Sequence, residues 1–189
     1  MEKLTLILLS GHPATGKTTI SKKIAGKFKL PVVSPDSIKE IIWDCVGWEH
    51  DKEEWNKFGK ASFEVMYYFI QENLSKNKSI VVDAHFNPEI NNERINNLKD
   101  KYGCEILQIY CNARKEVIIE RFKNRIRSDN YHSGHKHGID MVYTKEEYFS
   151  KIGEGDKRLA INGKTLEVDT TNVDNIDYDK IFNFISDNK

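Results

Sequence analysis

A chain of 189 residues with 39% hydrophobic and 31% charged side chains holds enough apolar material for one substantial core, which excludes a disordered chain. Lys plus Arg and Asp plus Glu both number 29, so net charge does not hold this protein to long nucleic acid, although a local basic groove stays open. Cys45, Cys104 and Cys111 show no paired spacing, which points to a reducing, cytoplasmic setting and to small buried side chains.

The first apolar run, LTLILLS (4–10), is too short for a membrane span and runs into a glycine-bearing loop, so it reads as a buried strand rather than a signal peptide. No other stretch is long and apolar enough to cross a bilayer, so no membrane partner is expected. The loop Gly11-His12-Pro13-Ala14-Thr15-Gly16-Lys17-Thr18 fits G-x-x-x-x-G-K-[ST] in full, with a strand before it and an amphipathic helix after it. The glycines let the backbone curl until its N–H groups converge on phosphate oxygens. The helix from Lys17 aims its positive dipole end at the same anion. Lys17 would neutralise β- and γ-phosphate charge, and Thr18 would place a hydroxyl on Mg²⁺. Pro13 stiffens the loop, and Thr19 is either an α-phosphate ligand or a first-turn helix residue. ATP and Mg²⁺ are therefore the expected cofactors.

Ile20, Ile24 and Phe28 recur four apart and predict a helix over 17–28. PVVS (31–34) predicts a second strand, followed by SPDSIKE. Asp36 there has two readings: a general base that takes the proton of an attacking hydroxyl, or the N-cap of the next helix. Lys39, one turn on, either holds the acceptor or is solvated. A long helix over 51–76 is expected, with Trp55, Phe58, Ser62, Val65 and Phe69 on its stripe and Met66 and Ile70 beside it. Trp43, Trp48 and Trp55 either pack internally or stack on a ligand.

SIVVDA (79–84) is the third strand. Asp83 at its end has the form of the acid that holds Mg²⁺, directly or through water, or else caps a turn. His85 and Asn87 could line the acceptor site, Asn87 equally serving the turn before Pro88. NPEINNERINNLKDKYG carries helix start and stop signals, and CEILQIYCN (104–112) is the fourth strand. In EVIIERFKNRIRSDN, Arg121 and Arg125 share one helical face, a quarter-turn from an apolar stripe of Ile118, Phe122 and Ile126. Two guanidinium groups there suit a phosphate lid, spanning about 115–145, or form a basic exposed face. The stretch 128–140, polar with two glycines, reads as a mobile loop. Its His132, His135 and His137 lack the partners zinc needs, so phosphate or acceptor contacts or solvation are preferred. TLEVDT (165–170) is the fifth strand, and Asp169, Thr170 and Thr171 at its end could meet adenine.

Strands alternating with helices imply a three-layer α/β domain, a parallel sheet with helices on both faces, and the chain reads as one domain over 1–189. Ligands bind such sheets at the carboxyl ends of the strands, which brings Asp36 and Asp83 to the loop. A GTP switch is disfavoured: NNLKD (96–100) lacks the base-reading lysine, and Asp83 opens no D-x-x-G. The chain resembles small P-loop kinases related to polynucleotide 5′-hydroxyl kinase and the zeta-toxin group. The resemblance rests on GHPATGKTT, VVSPDSIKE, VVDAHFNPE and RFKNR. It implies a five-stranded sheet of order 2-3-1-4-5, Lys17 and Thr18 on the donor phosphates, Asp36 as general base, and Arg121 and Arg125 as lid arginines. Lys39 stands where that family has an arginine, which removes a bidentate clamp on an acceptor phosphate. The expected activity is ATP- and Mg²⁺-dependent transfer of the γ-phosphoryl group to a hydroxyl, on a nucleic acid 5′-end or on a nucleoside, sugar or antibiotic. The alternative is a regulatory ATPase without an acceptor, which would have no use for a base at Asp36. No obligate protein partner is evident.

Overall fold

The apolar run near the N-terminus becomes the central strand of a five-stranded sheet. A computed structural model describes residues 3–49, 51–142, 147, 151–152, 155 and 157–189. In chain order the elements are β1 (Thr5–Ser10), α1 (Lys17–Phe28), β2 (Val32–Val33), α2 (Pro35–Val46), α3 (Lys52–Leu74), β3 (Ile80–Asp83) and α4 (Pro88–Tyr102). They continue with β4 (Glu105–Asn112), α5 (Lys115–Arg127), α6 (Ser133–Val142), β5 (Lys164–Asp169), a 3-10 turn (Val173–Asn175) and α7 (Tyr178–Ser186). The last residues of the expected lid, from 143 on, lie outside the described residues.

The sheet order is β2-β3-β1-β4-β5, as the resemblance implies, and all pairs are parallel. Alternation along the strands feeds two cores. Leu6, Leu8, Ile80, Val82 and Ile106 face α3 and α4 through Met66, Ile70, Leu74, Ile95 and Leu98. Ile7, Leu9, Val81, Leu107 and Ile109 face α1 and α7 through Ile20, Ile24, Ile181 and Ile185. All six residues of β1 are buried, and between Thr5 and Ser10 the strand is wholly apolar, as burial on both faces requires. Each such Leu or Ile contributes about 1.5–3 kcal/mol on leaving water.

One polar residue does sit mid-sheet. Gln108 of β4 is buried, and its amide is fully used. It accepts from the Ser10 hydroxyl (2.8 Å) and the Leu159 N–H (2.8 Å), and donates to the Leu159 carbonyl (3.1 Å) and the Thr165 hydroxyl (2.9 Å). It thereby ties the strand that follows the lid region to the central sheet without leaving a buried group unpaired.

Two expectations are corrected. The buried stripe of α3 runs through Ser62, Met66, Tyr67, Ile70 and Leu74, while Val65 (46% exposed) and Phe69 (39% exposed) face outward. The helix settles with its Met66–Ile70 ridge on the sheet, so the neighbouring Val65–Phe69 ridge turns away. The stretch 128–140 is also not a loop throughout, since α6 begins at Ser133. Its glycines serve close packing. A Cβ on Gly134 would fall 2.4 Å from the Trp43 ring, and one on Gly138 2.3 Å from the Trp55 ring.

Candidate active site

The register of the sheet assembles the site. Leu9 of β1 lies opposite Asp83 of β3, and Asn112 of β4 lies opposite Asp169 of β5, so the carboxyl ends of the strands surround the loop after Ser10. They border a cavity of about 650 Å³. Gly11 has φ +128°, and its absent Cβ is essential, because one would fall 2.1 Å from the Cys111 carbonyl oxygen. Gly16 has φ +82° and opens α1 with no side-chain cap and no acidic residue in the first turn. The orphan N–H groups there are left for an anion. Ala14 holds φ +60°, a left-handed conformation that costs a non-glycine residue roughly 1–2 kcal/mol, kept by the loop around it.

Pro13, Ala14, Gly16, Lys17, Thr18 and Thr19 face the cavity. Gly11, His12 and Thr15 are buried beneath it and shape the loop instead. The Thr15 hydroxyl donates to the His12 carbonyl (2.8 Å), and His12 Nε2 lies 2.8 Å from the Gly155 carbonyl oxygen. The Lys17 ammonium folds back onto the carbonyls of Gly11 (3.0 Å) and His12 (2.7 Å). Burial lowers its pKa, against Asp83, Cys111 and Asp36, which favour the cation.

Asp83 is buried at the cavity floor, and burial raises its carboxyl despite a hydrogen bond from Thr18 and the nearby Lys17 cation. A hydroxyl and a buried carboxylate side by side, all oxygen, form a donor set suited to Mg²⁺, whose charge would offset the cost of burying Asp83. His85 lines the same cavity with Nδ1 3.2 Å from the Gly11 carbonyl oxygen. A carbonyl only accepts, so Nδ1 carries the hydrogen and Nε2 is an acceptor. Burial, then the Lys17 charge, pushes the His85 pKa down to about 4.

The opposite wall comes from α2, α3 and α6. The N-cap of α2 is Ser34, with Pro35 first in the helix, so Asp36 is not the cap. Its side chain is 54% exposed to the cavity yet surrounded by protein, 3.3 Å from Lys39. Burial pushes the Asp36 carboxyl up, but Lys39, His135 and Arg125 together outweigh it and hold the pKa below its ordinary value. Lys39 itself is 12% exposed, lies 5.2 and 5.3 Å from the ring centres of Trp43 and Trp55, and does not line the cavity. It faces Asp36 and the two indoles rather than the cavity.

Trp43 is fully buried, stacked on Trp55 (6.3 Å) and on His132 (5.4 Å), while Trp48 meets the edge of His132. Of the three indoles, Trp55 lines the cavity. His132 and His135 pair with acids of α2, Asp44 (3.2 Å) and Glu40 (3.0 Å), and so bind α6 to α2.

Arg121 and Arg125 of α5 both line the cavity. Arg121 donates through one Nη to the Thr171 carbonyl (3.0 Å), while its other Nη is buried without a protein partner among the described residues. Arg125 lies 4.9 Å from the centre of the Tyr131 ring. Asp169 at the end of β5 and the two threonines after it make structural hydrogen bonds. Thr170 is buried and donates to the Asn112 carbonyl (2.9 Å), Asp169 accepts from the Thr171 N–H (2.8 Å), and the Thr171 carbonyl steadies Arg121. Glu40, Tyr131 and Lys22 also line the cavity and escaped the sequence reading. Glu40 was within reach of it, four residues from Asp36 and hence on the same helical face.

A model of the AAA domain family matches residues 6–139. A "putative kinase" from Chloroflexus aurantiacus is 30% identical, with all of both chains covered and a TM-score of 0.89. A sugar kinase from Janibacter sp. superposes with a TM-score of 0.57 over 97% of this chain and 93% of its own, at 11% identity, a likeness of fold alone. Comparison with curated proteins gives no match.

Proposed function

The chain belongs to the AAA domain family, and from that premise we propose that it is a kinase that moves the γ-phosphoryl group of ATP to a hydroxyl acceptor. The observation that carries the reading is one cavity shared by Lys17, Thr18 and Asp83 on one side and by Asp36, Arg121 and Arg125 on the other. A regulator that only binds ATP has no use for a carboxylate facing the donor phosphates.

The loop N–H groups and Lys17 hold the β- and γ-phosphates. The acceptor hydroxyl gives its proton to Asp36 as its oxygen bonds to the γ-phosphorus, and the bond from that phosphorus to the β–γ bridging oxygen breaks to release ADP. Arg121 and Arg125 take up charge on the transferring group through parallel hydrogen bonds. Thr18 and Asp83 would hold Mg²⁺, which neutralises phosphate charge. The fold and chemistry suit two acceptor classes, a nucleic acid 5′-hydroxyl as in polynucleotide kinases and a small hydroxyl compound.

Transfer of labelled γ-phosphate tests the reading. Lys17→Ala is expected to remove tight ATP binding and all transfer, and undiminished turnover would refute the phosphate-loop assignment.

A further inference from the structure

We propose that the acceptor is a compact polyhydroxyl compound without acid groups, of the sugar or amino-sugar class, selected by the Glu40 carboxylate and the Trp55 ring. This rests on the kinase reading and narrows it. Three observations carry it.

The first is room. About 650 Å³ is the size of a pocket for one drug-sized molecule, and here it must also take the triphosphate. Helix α6 adds His135 and Ile139 to its wall, and Gly134 and Gly138 let that helix press against Trp43 and Trp55. A compact acceptor fits such a space better than a strand of nucleic acid.

The second is charge. Asp36 and Glu40 both face the acceptor end. The basic groups beside them are engaged, Lys39 on Asp36 and the two indoles, His135 on Glu40. The hydrogen bond with His135 is the main cause that keeps Glu40 below the usual carboxylate range, so the acid stays ionised. Of the other cations on the cavity wall, Lys17, Arg121 and Arg125 are assigned to the donor phosphates, which leaves Asp36 and Glu40 as the charges beside the acceptor. A carboxylate or phosphate on the acceptor would meet Glu40 as a like charge, whereas an amine would meet it as a partner.

The third is shape. Trp55 lines the cavity, held by stacking on Trp43 and by an Nε1 bond to the Gly134 carbonyl (3.4 Å). An immobilised indole on the wall offers apolar surface to the C–H groups of a sugar ring. Ser34, Ser37 and Asn130 on the same wall offer hydrogen-bond groups to its hydroxyls.

The test compares neutral hexoses, the matching 2-amino sugars, the matching uronic acids and a short 5′-hydroxyl oligonucleotide. Labelled γ-phosphate transfer is measured beside binding, followed by tryptophan fluorescence with a non-hydrolysable ATP analogue. Neutral or amino sugars should exceed uronic acids in kcat/KM by about tenfold or more. Glu40→Gln should shrink the amino-to-acid ratio by about as much. Trp55→Leu should raise KM for sugars while ATP affinity holds, which separates loss of the ring from loss of the fold. Preference for the acids or the oligonucleotide, or sugars that neither bind nor react, overturns the proposal while leaving the kinase reading to the Lys17 test. Sugars that bind without receiving phosphate would instead overturn the kinase reading and keep the acceptor class.

Discussion

At the donor end of the cavity, backbone does most of the work: a strand buried on both faces, a glycine pressed against the Cys111 carbonyl, and an uncapped helix N-terminus. At the acceptor end, side chains of three helices do it. Trp43, Trp55, His132 and His135 interlock, and two glycines of α6 fit against the indoles. The first construction is rigid and general, because any nucleoside triphosphate presents the same phosphates. The second is local to this chain, and there the choice of acceptor can be made by changing a few side chains.

The arginines straddle the two ends and give the largest expected effect. Arg121 is steadied by the Thr171 carbonyl and keeps a buried Nη without a protein partner. Its removal should therefore be felt with every acceptor. Arg121→Ala is expected to lower kcat by about 10³-fold or more, the range of a transition-state arginine. A fall confined to KM for ATP would assign Arg121 to ground-state binding and blur the division between the ends.

Asp36 tests the acceptor end directly. Asp36→Asn should lower transfer by about 10²–10⁴-fold, the usual yield of a positioned base. ATP affinity, read by calorimetry, should stay near wild type, because Lys17 and the loop are untouched. Equal losses in both measurements would place Asp36 among the donor groups.

Packing beneath the acceptor wall gives a smaller effect. Gly134→Ala places a methyl group 2.4 Å from the Trp43 ring, and overpacking of this kind costs about 1–3 kcal/mol. The expected outcome is a lower Tm and a raised KM for acceptor with unchanged ATP affinity. An unchanged Tm would show that α6 does not rest on Trp43 in solution.

What could be read from sequence follows the same division. The five strands were legible because strand runs are local patterns, and the loop pattern and the strand-end acid single out Lys17, Thr18 and Asp83, which the structure brings to one cavity. The strand order came through resemblance, since parallel register depends on contacts far apart in sequence. Helix α6 was missed because Gly134 and Gly138 weaken a helix by about 1 kcal/mol each relative to alanine and read as punctuation. Their reason lies in Trp43 and Trp55, some eighty to ninety residues away. Pattern alone does not tell the Val65–Phe69 ridge of α3 from the buried one, because two adjacent apolar ridges look alike until the sheet selects one. For Lys39 the sequence leaves an acceptor ligand and a solvated lysine both open, and its place between Asp36 and two indoles is a tertiary fact.

The mildest prediction concerns His85, where the two constructions meet. In the unfolded chain its imidazole takes up a proton near pH 6.5, and in the folded protein only near 4. Between those values the unfolded state binds more protons, so stability falls as pH drops through that window and levels off below it. Measured as Tm from pH 7 to 4.5, wild type should decline more steeply than His85→Asn, which has no proton to take up. ATP should reduce the difference, because phosphates beside Lys17 would favour the protonated imidazole and raise its folded-state pKa. Parallel pH profiles for wild type and variant would mean that His85 is as solvated as in the unfolded chain. Nε2 would then face water rather than the closed end of the donor site, and the hydrogen bond to Gly11 would not be what fixes the ring.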